Sequence, residues 1–187
     1  ATQTVTVAIA AVDDSPVADS TSTLAVTEDV AASGTITATE VDSQSLTYTY
    51  STPSKGAITN TDGSYTYTPT ANENGSDSFT VTISDGTSTD VVQTVSVSIA
   101  AANDAPVTDS TSSLSVTEDT PASDTITATD VDGDSLTYTY STPTKGAITN
   151  TDGSYTYTPT ANANGADSFT VTVSDGTDTA TQTVTVA

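Results

Sequence analysis

Ala57-Ile58-Thr59-Asn60-Thr61-Asp62-Gly63-Ser64-Tyr65-Thr66-Tyr67 reads as two extended segments joined by Asp-Gly. That dipeptide marks a tight hairpin turn, because the central positions need positive φ and Gly adopts it without steric cost. After the turn Tyr65 and Tyr67 share one face and Thr66 stands on the other, the period of a half-buried strand. The same alternation extends outward on both sides of the hairpin. Upstream lie Leu24 and Val26, then Ile36 and Ala38, then Leu46, Tyr48 and Tyr50 with Thr47 and Thr49 opposite. Downstream lie Phe79, Val81 and Ile83, then Val95, Val97 and Ile99. Seven strands in about 90 residues, with turn signals at short intervals and no helical period, predict an all-β immunoglobulin-like sandwich.

The pattern occurs twice. Pro16 returns as Pro106, Glu28-Asp29 as Glu118-Asp119, and Ala57-Ile58-Thr59-Asn60 as Ala147-Ile148-Thr149-Asn150, always 90 residues apart. Roughly four positions in five between Pro16 and Gly86 are identical in the second copy. A unit of this length holds its own core, unlike a short solenoid turn. The expected organisation is repeat 1 at 14–103 and repeat 2 at 104–187. Gln3-Thr4-Val5-Thr6-Val7 matches Gln93-Thr94-Val95-Ser96-Val97, so residues 1–13 are expected to be the last strand and linker of a preceding copy. The chain, with no charged-then-apolar leader, thus reads as an excerpt of a longer array.

Composition narrows the chemistry. The 187 residues carry 24 Asp and Glu against Lys55 and Lys145, a formal net charge of −22, with no His and no Cys. Phosphate contacts need cations, so no nucleic-acid partner is expected. Without thiol or imidazole there is no Cys or His nucleophile or base and no ligand set for zinc, haem or iron–sulfur clusters. No disulfide staples the fold, and no apolar run approaches the ~20 residues that span a bilayer as a helix. Leu, Ile, Val and Phe total only 32 residues, which with high net charge is the usual signature of disorder. The strict alternation with β-branched Thr overrules that signature, leaving a folded chain with a thin core.

The acids gather where a sandwich has its ends. Glu118-Asp119 follows the first strand of repeat 2, Asp130-Val131-Asp132-Gly133-Asp134 lies between its second and third strands, Asp175-Gly176 between its last two, and Asn103-Asp104 at the repeat junction. Alternating Asp with Gly is the chemistry of a Ca²⁺ loop: hard oxygen ligands, and a residue that permits the turn converging them. It is not an EF-hand, since flanking helices and a twelfth-position Glu are missing. Single acids of this kind are also ordinary turn formers; the clustering without basic partners favours the metal.

Ala128-Thr129-Asp130-Val131-Asp132, Ser174-Asp175-Gly176 and Asn103-Asp104-Ala105-Pro106 resemble cadherin repeats. More closely, they resemble the cadherin-like tandem repeats of large secreted bacterial surface adhesins of the RTX type. The resemblance covers both units and implies Greek-key β-sandwiches with Ca²⁺ between consecutive domains. It implies ligands from Glu28 and Asp77 of repeat 1, from linker residues Asn103 and Asp104, and from Asp130, Asp132, Asp134 and Asp175 of repeat 2. Asp13, Asp14, Asp42 and Asp85 form the corresponding set of repeat 1, and Glu118 and Asp167 repeat the positions of Glu28 and Asp77. Departures are Ala101 and Ala105 where the family carries Asp and Asn. There is also no clean match to the cadherin Leu-Asp-Arg-Glu segment, whose place Asp77 or Glu73 takes. In repeat 1, Glu40-Val41-Asp42-Ser43-Gln44 offers one carboxylate fewer than Asp130 to Asp134.

The function these features imply is structural, without enzymatic activity. The repeats would be Ca²⁺-stabilised extender domains of a secreted, surface-anchored bacterial adhesin, holding distal binding domains away from the cell for adhesion or biofilm formation. Their partners would be neighbouring repeats, with no membrane contact, and the fragment would be monomeric. The alternative is a carbohydrate- or surface-binding sandwich using its eight Tyr; their period-two placement beside Leu46 favours the core instead. Plain β-propensity accounts for the Thr-x-Thr pairs without ice binding.

Overall fold

The computed structural model describes residues 1–19, 22–108 and 112–187. The chain divides into two units, Ala1–Ala102 and Asn103–Ala187. Among the described residues there is no helix, and each unit is a two-layered β-sandwich.

Unit 1 contains β1 (Val17–Ala18), β2 (Ser22–Thr27), β3 (Ala32–Thr35), β4 (Ala38–Thr39), β5 (Thr47–Tyr50), β6 (Gly56–Thr61), β7 (Ser64–Pro69), β8 (Gly75–Ser84) and β9 (Val91–Ala100). One sheet has the order β2-β9-β8-β5, the other β3-β7-β6, and β1 pairs with β4. β2 runs parallel to β9, with Leu24 beside Val97, whereas the other pairings are antiparallel. Unit 2 repeats the plan with β10 (Val107–Thr108), β11 (Ser112–Leu114), β12 (Ala122–Thr125), β13 (Ala128–Thr129), β14 (Thr137–Tyr140), β15 (Gly146–Thr151), β16 (Ser154–Pro159), β17 (Asp167–Ser174) and β18 (Thr179–Val186). Its sheets are β11-β18-β17-β14 and β12-β16-β15.

The period-two residues face inward. In unit 1 Leu24, Val26, Ile36, Tyr65, Tyr67, Phe79, Val81, Ile83, Val95, Val97 and Ile99 form one buried cluster, and Leu46, Tyr48 and Tyr50 pack against it. Tyr65 meets Phe79 edge-on at 5.2 Å between ring centroids, as Tyr155 meets Phe169 in unit 2, the favoured geometry for aromatic quadrupoles. The tyrosines are therefore core residues rather than an exposed stacking platform.

Two features differ from the simple alternation. The strand of Ile36 and Ala38 breaks into β3 and β4, which take different partners: β3 pairs with β7, in a register that the Ile36 N–H prolongs to the Gly63 carbonyl at 2.8 Å, and β4 pairs with β1. The chain entering the unit forms a short strand, β1, which alternation over two residues is too brief to reveal. Gln3 to Val7, expected as a strand within residues 1–13, carry none: Val5 and Val7 are exposed. A strand needs a neighbour for its backbone groups. The matching residues in β9 have β8 and β2 on either side, whereas Gln3 to Val7 lie beside no strand among the described residues.

Candidate functional site

The loops between β13 and β14 and between β17 and β18 lie together at one end of unit 2 and are tied to the segment that opens the unit. The Asn103 amide donates to Asp175 Oδ2 at 3.1 Å and to Asp178 Oδ2 at 2.8 Å. The Asp104 N–H donates to Asp132 Oδ2 at 2.8 Å. Within the first loop Asp130 Oδ1 accepts the N–H groups of Asp132 and Asp134 at 3.0 and 3.2 Å, and Gly133 takes φ +79° to close the turn. Within the second, Asp175 Oδ1 accepts the N–H groups of Thr177 and Asp178, both at 2.6 Å. These two bonds, opposed by burial and assisted by the Asn103 amide, hold the Asp175 carboxyl below its ordinary value. Asn103, Asp104, Asp130, Asp132, Asp134 and Asp175 are thus one neighbourhood, and Asp178 joins them.

Unit 1 builds the same end with fewer acids. The Asp14 N–H donates to Asp42 Oδ2 at 2.8 Å, the Asp42 N–H to Glu40 Oε1 at 2.9 Å, and the Gln44 amide to Asp13. Asp85 accepts the Ser88 hydroxyl and the N–H groups of Thr87 and Ser88, which lower its carboxyl to about 2. Asp178 stands one residue beyond Thr177, where unit 1 has Ser88. Sequence reasoning passed over it, although aligning the two copies reveals the extra carboxylate.

Among the described residues no group of three or more acidic side chains is drawn close enough to hold a metal ion. Loop N–H groups and the Asn103 amide occupy much of the carboxylate surface instead. Two carboxylate oxygens at matching positions of the units escape this arrangement. Asp130 Oδ2, and Glu40 Oε2 at the matching position of unit 1, are buried without a hydrogen-bond partner. A buried, undonated carboxylate oxygen is costly unless a cation faces it. Neither lysine serves there, since Lys55 Nζ donates to the Asn74 carbonyl at 2.6 Å and Lys145 Nζ to the Asn164 carbonyl at 2.9 Å. The donor set is hard oxygen with no thiol or imidazole, which fits Ca²⁺.

Asp77 and Asp167 hold a different post, against their expected role as ligands. Asp77 Oδ1 accepts the Ser54 N–H and hydroxyl and the Ser78 N–H, while Oδ2 accepts the Lys55 N–H at 2.9 Å and the Tyr67 hydroxyl at 2.8 Å. Asp167 does the same with Thr144, Ser168, Lys145 and Tyr157. Five donors fill each carboxylate and leave little for a metal. Burial raises both carboxyl groups, but the bonds from Lys55 and Ser54, or Lys145 and Thr144, outweigh it and hold them well below the usual range. Burial, then the bond to Asp167, pushes the Tyr157 phenol up to about 12. The tyrosine ring lies across Gly56 in unit 1, where a Cβ would stand 2.6 Å from its Cζ, so Gly is required for the latch to close.

Glu28 and Glu118 part company. Glu28 is 1% exposed, with Oε1 accepting the Ala102 N–H at 2.6 Å and Oε2 facing the Asn74 amide at 3.4 Å. Glu118 is exposed.

A model of the bacterial Ig domain matches residues 13–98 and again 103–187. The chain belongs to that family. Domains of this family are typically extracellular or on the cell surface, and no helix among the described residues is long and apolar enough to cross a membrane. No curated protein matches the sequence. Among solved structures, human protocadherin-24 EC1-2 is 17% identical with a TM-score of 0.58, covering 92% of this chain and 98% of that one. Human CDH23 EC21-23 is 17% identical with a TM-score of 0.57, covering 92% and 69%. These likenesses show the fold, cadherin-like β-sandwiches in tandem. The endo-fucoidan hydrolase MfFcnA4 from glycoside hydrolase family 107 is 23% identical at a TM-score of 0.42, and this bacterial Ig chain spans only 28% of its length.

Proposed function

We propose that the two bacterial Ig domains are extracellular spacer modules of a bacterial surface adhesin of the RTX type, stiffened by Ca²⁺. The observation that carries the calcium reading is the buried, undonated carboxylate oxygen at the same position of both units, Glu40 Oε2 and Asp130 Oδ2. In unit 2 the ion would draw on Asp130, Asp132, Asp134, Asp175, Asp178 and the Asn103 and Asp104 segment. In unit 1 it would draw on Asp13, Asp14, Glu40, Asp42 and Asp85. The ion supplies positive charge and oxygen coordination; the chain supplies loops already closed by Gly133 and the Asx bonds of Asp175. Near-identical neighbours suit a spacer, whose task depends on number and length rather than on one unique site. Extracellular Ca²⁺ modules bind at ~10⁻⁴–10⁻³ M, so the ion would be gained outside the cell, where projection toward a surface or a biofilm is needed.

Calorimetric titration of the chain with Ca²⁺ and with Mg²⁺ tests the reading. Saturable Ca²⁺ binding with little Mg²⁺ response is the expected outcome, since Mg²⁺ demands a tight octahedron and keeps its waters. Absence of Ca²⁺ heat at millimolar concentrations would remove calcium from the proposal and leave only the spacer role.

A further inference from the structure

Lys55 and Lys145 are the only basic side chains in a chain with 24 acids, and both stand at the same post. Lys55 precedes β6, and its backbone is pinned on both sides. Its N–H donates to Asp77 Oδ2 at 2.9 Å, and its carbonyl accepts the Thr70 N–H at 2.8 Å. The side chain is thereby aimed at one residue, Asn74, whose backbone carbonyl Nζ meets at 2.6 Å. Gly75 follows at φ +94°, and a Cβ there would stand 3.4 Å from Nζ, so the amine lies directly over this turn. Unit 2 repeats the arrangement, with Lys145 Nζ donating to the Asn164 carbonyl at 2.9 Å beside Gly165.

The side chain of Asn74 is held as well. Its Nδ2 donates to Glu28 Oε2 at 3.4 Å, and the buried Glu28 is itself fixed by the Ala102 N–H on Oε1. On the solvent side, Glu73 Oε2 lies 3.8 Å from Lys55 Nζ. An amine, a carboxamide and two carboxylates therefore converge, one carboxylate on the amine and the other on the nitrogen of the amide. A lysine serving only as a surface ion-pair partner would need Glu73 and nothing more. A primary amine with an adjacent base, held beside an acyl group that is itself oriented, is a nucleophile with its electrophile in place.

We propose that Lys55 Nζ and Asn74 Cγ join in an isopeptide bond within unit 1, with Glu73 as the base. Glu73 takes a proton from the Lys55 ammonium, and the freed amine attacks Cγ. The Cγ–Nδ2 bond breaks as the Nζ–Cγ amide forms. Nζ gives up two protons in all, and both end on Nδ2, which leaves as ammonium; the balance requires no oxidant and no outside reactant. Glu28 accepts from the departing nitrogen and keeps it turned inward, which presents the amide carbon to the amine. The product ties the start of β6 to the turn before β8, a covalent loop closure in a chain that has no Cys to make one by disulfide. Unit 2 has the amine and the amide, but Ala163 stands where unit 1 has Glu73, so its pair should stay open.

The test follows the intact mass of the full chain during cell-free synthesis and for days afterwards at neutral pH. The folded chain should lose the mass of one ammonia, and cleavage after acidic residues should release a branched peptide joining Lys55 to Asn74. Attack of the Gly75 nitrogen on the same Cγ would also expel ammonia, giving a cyclic imide, and Lys55→Arg separates the two routes. That variant keeps the charge but not the nucleophile and should hold its full mass. Glu73 is half-exposed, so Glu73→Gln should fold as the parent does, and it should form the bond at least about tenfold more slowly. Denaturant unfolding checks that both variants are folded. A full mass in the folded wild-type chain overturns the proposal. So does an equal loss in Lys55→Arg, an undiminished rate in Glu73→Gln, or as much cross-link at Lys145 as at Lys55.

Discussion

The carboxylates of Asp167 and Asp130 do different jobs, and their hydrogen-bond donors tell which. Asp167 is saturated by five donors and acts as the anchor of the loop before β15 and of Tyr157. Asp167→Ala leaves those donors without an acceptor, and about 3 kcal/mol of stability should be lost. The loss should be the same with Ca²⁺ and with chelator, and the Tyr157 phenol should titrate below its present value of about 12. Denaturant unfolding and phenolate absorbance measure both; a fall in Ca²⁺ affinity at unchanged stability would return Asp167 to the ligand set. Asp130 is the opposite case, with Oδ1 bonded and Oδ2 buried without a donor. Asp130→Asn removes a buried charge from among the acids of that end, so the ion-free form should gain about 1 kcal/mol, or some 4–8 °C in Tm. The same change should cut the Ca²⁺-induced rise in Tm by more than half. A mutant whose rise equals the wild type would show that the metal, if bound, sits elsewhere.

The hairpin that revealed the fold also fixes its geometry. Asp152 and Gly153 take φ +44° and +84°, the doubly left-handed turn that Asp-Gly predicts. The Gly153 carbonyl then receives the Ile126 N–H and the Tyr140 hydroxyl, both at 2.9 Å, which ties β16 to the break between β12 and β13. A Cβ on Gly153 would stand 2.9 Å from the Ile126 carbonyl oxygen, on a φ that L-residues disfavour. Gly153→Ala should therefore cost roughly 2 kcal/mol, while Asp152→Gly, which keeps the turn, should cost well under 1. Equal losses in denaturant would mean that the turn is not what sets the register. Such elements were legible because alternation and turn chemistry are local. The post of Asp77 and Asp167 was not, since Tyr67, Ser54 and Lys55 reach Asp77 from separate strands and loops, and only the fold brings them together. For the same reason the acid neighbourhood of unit 2 could be read as a cluster of Asp-Gly loops, whereas the undonated oxygen on Asp130 could not.

At the scale of the whole chain, charge opposes folding. A net −22 with two lysines means that ordinary salt should raise Tm by screening, whether or not any ion is held specifically. Acid should lower stability for a separate reason. Asp77, Asp85, Asp167 and Asp175 have folded-state carboxyls below their ordinary values, so the stability they add is full above about pH 4 and is lost as pH falls through the depressed values. In the alkaline direction Tyr140 and Tyr157, raised to about 12 chiefly by burial, add stability below about pH 10 that is lost as pH climbs through 12. Specific calcium binding is distinguished from screening by holding ionic strength constant while Ca²⁺ replaces Na⁺. With a dissociation constant of ~10⁻⁴–10⁻³ M, ~10 mM Ca²⁺ contributes about 1.4–2.7 kcal/mol per site through mass action. For domains of this size that is a rise of roughly 6–20 °C, continuing logarithmically with added ion, where Mg²⁺ should give no more than screening does. The Ca²⁺-specific rise should shrink toward zero as pH falls below about 4, because protonated carboxyls no longer coordinate. A rise of the same size with Mg²⁺, or one that persists unchanged at low pH, would place the effect in bulk electrostatics and remove the specific ion.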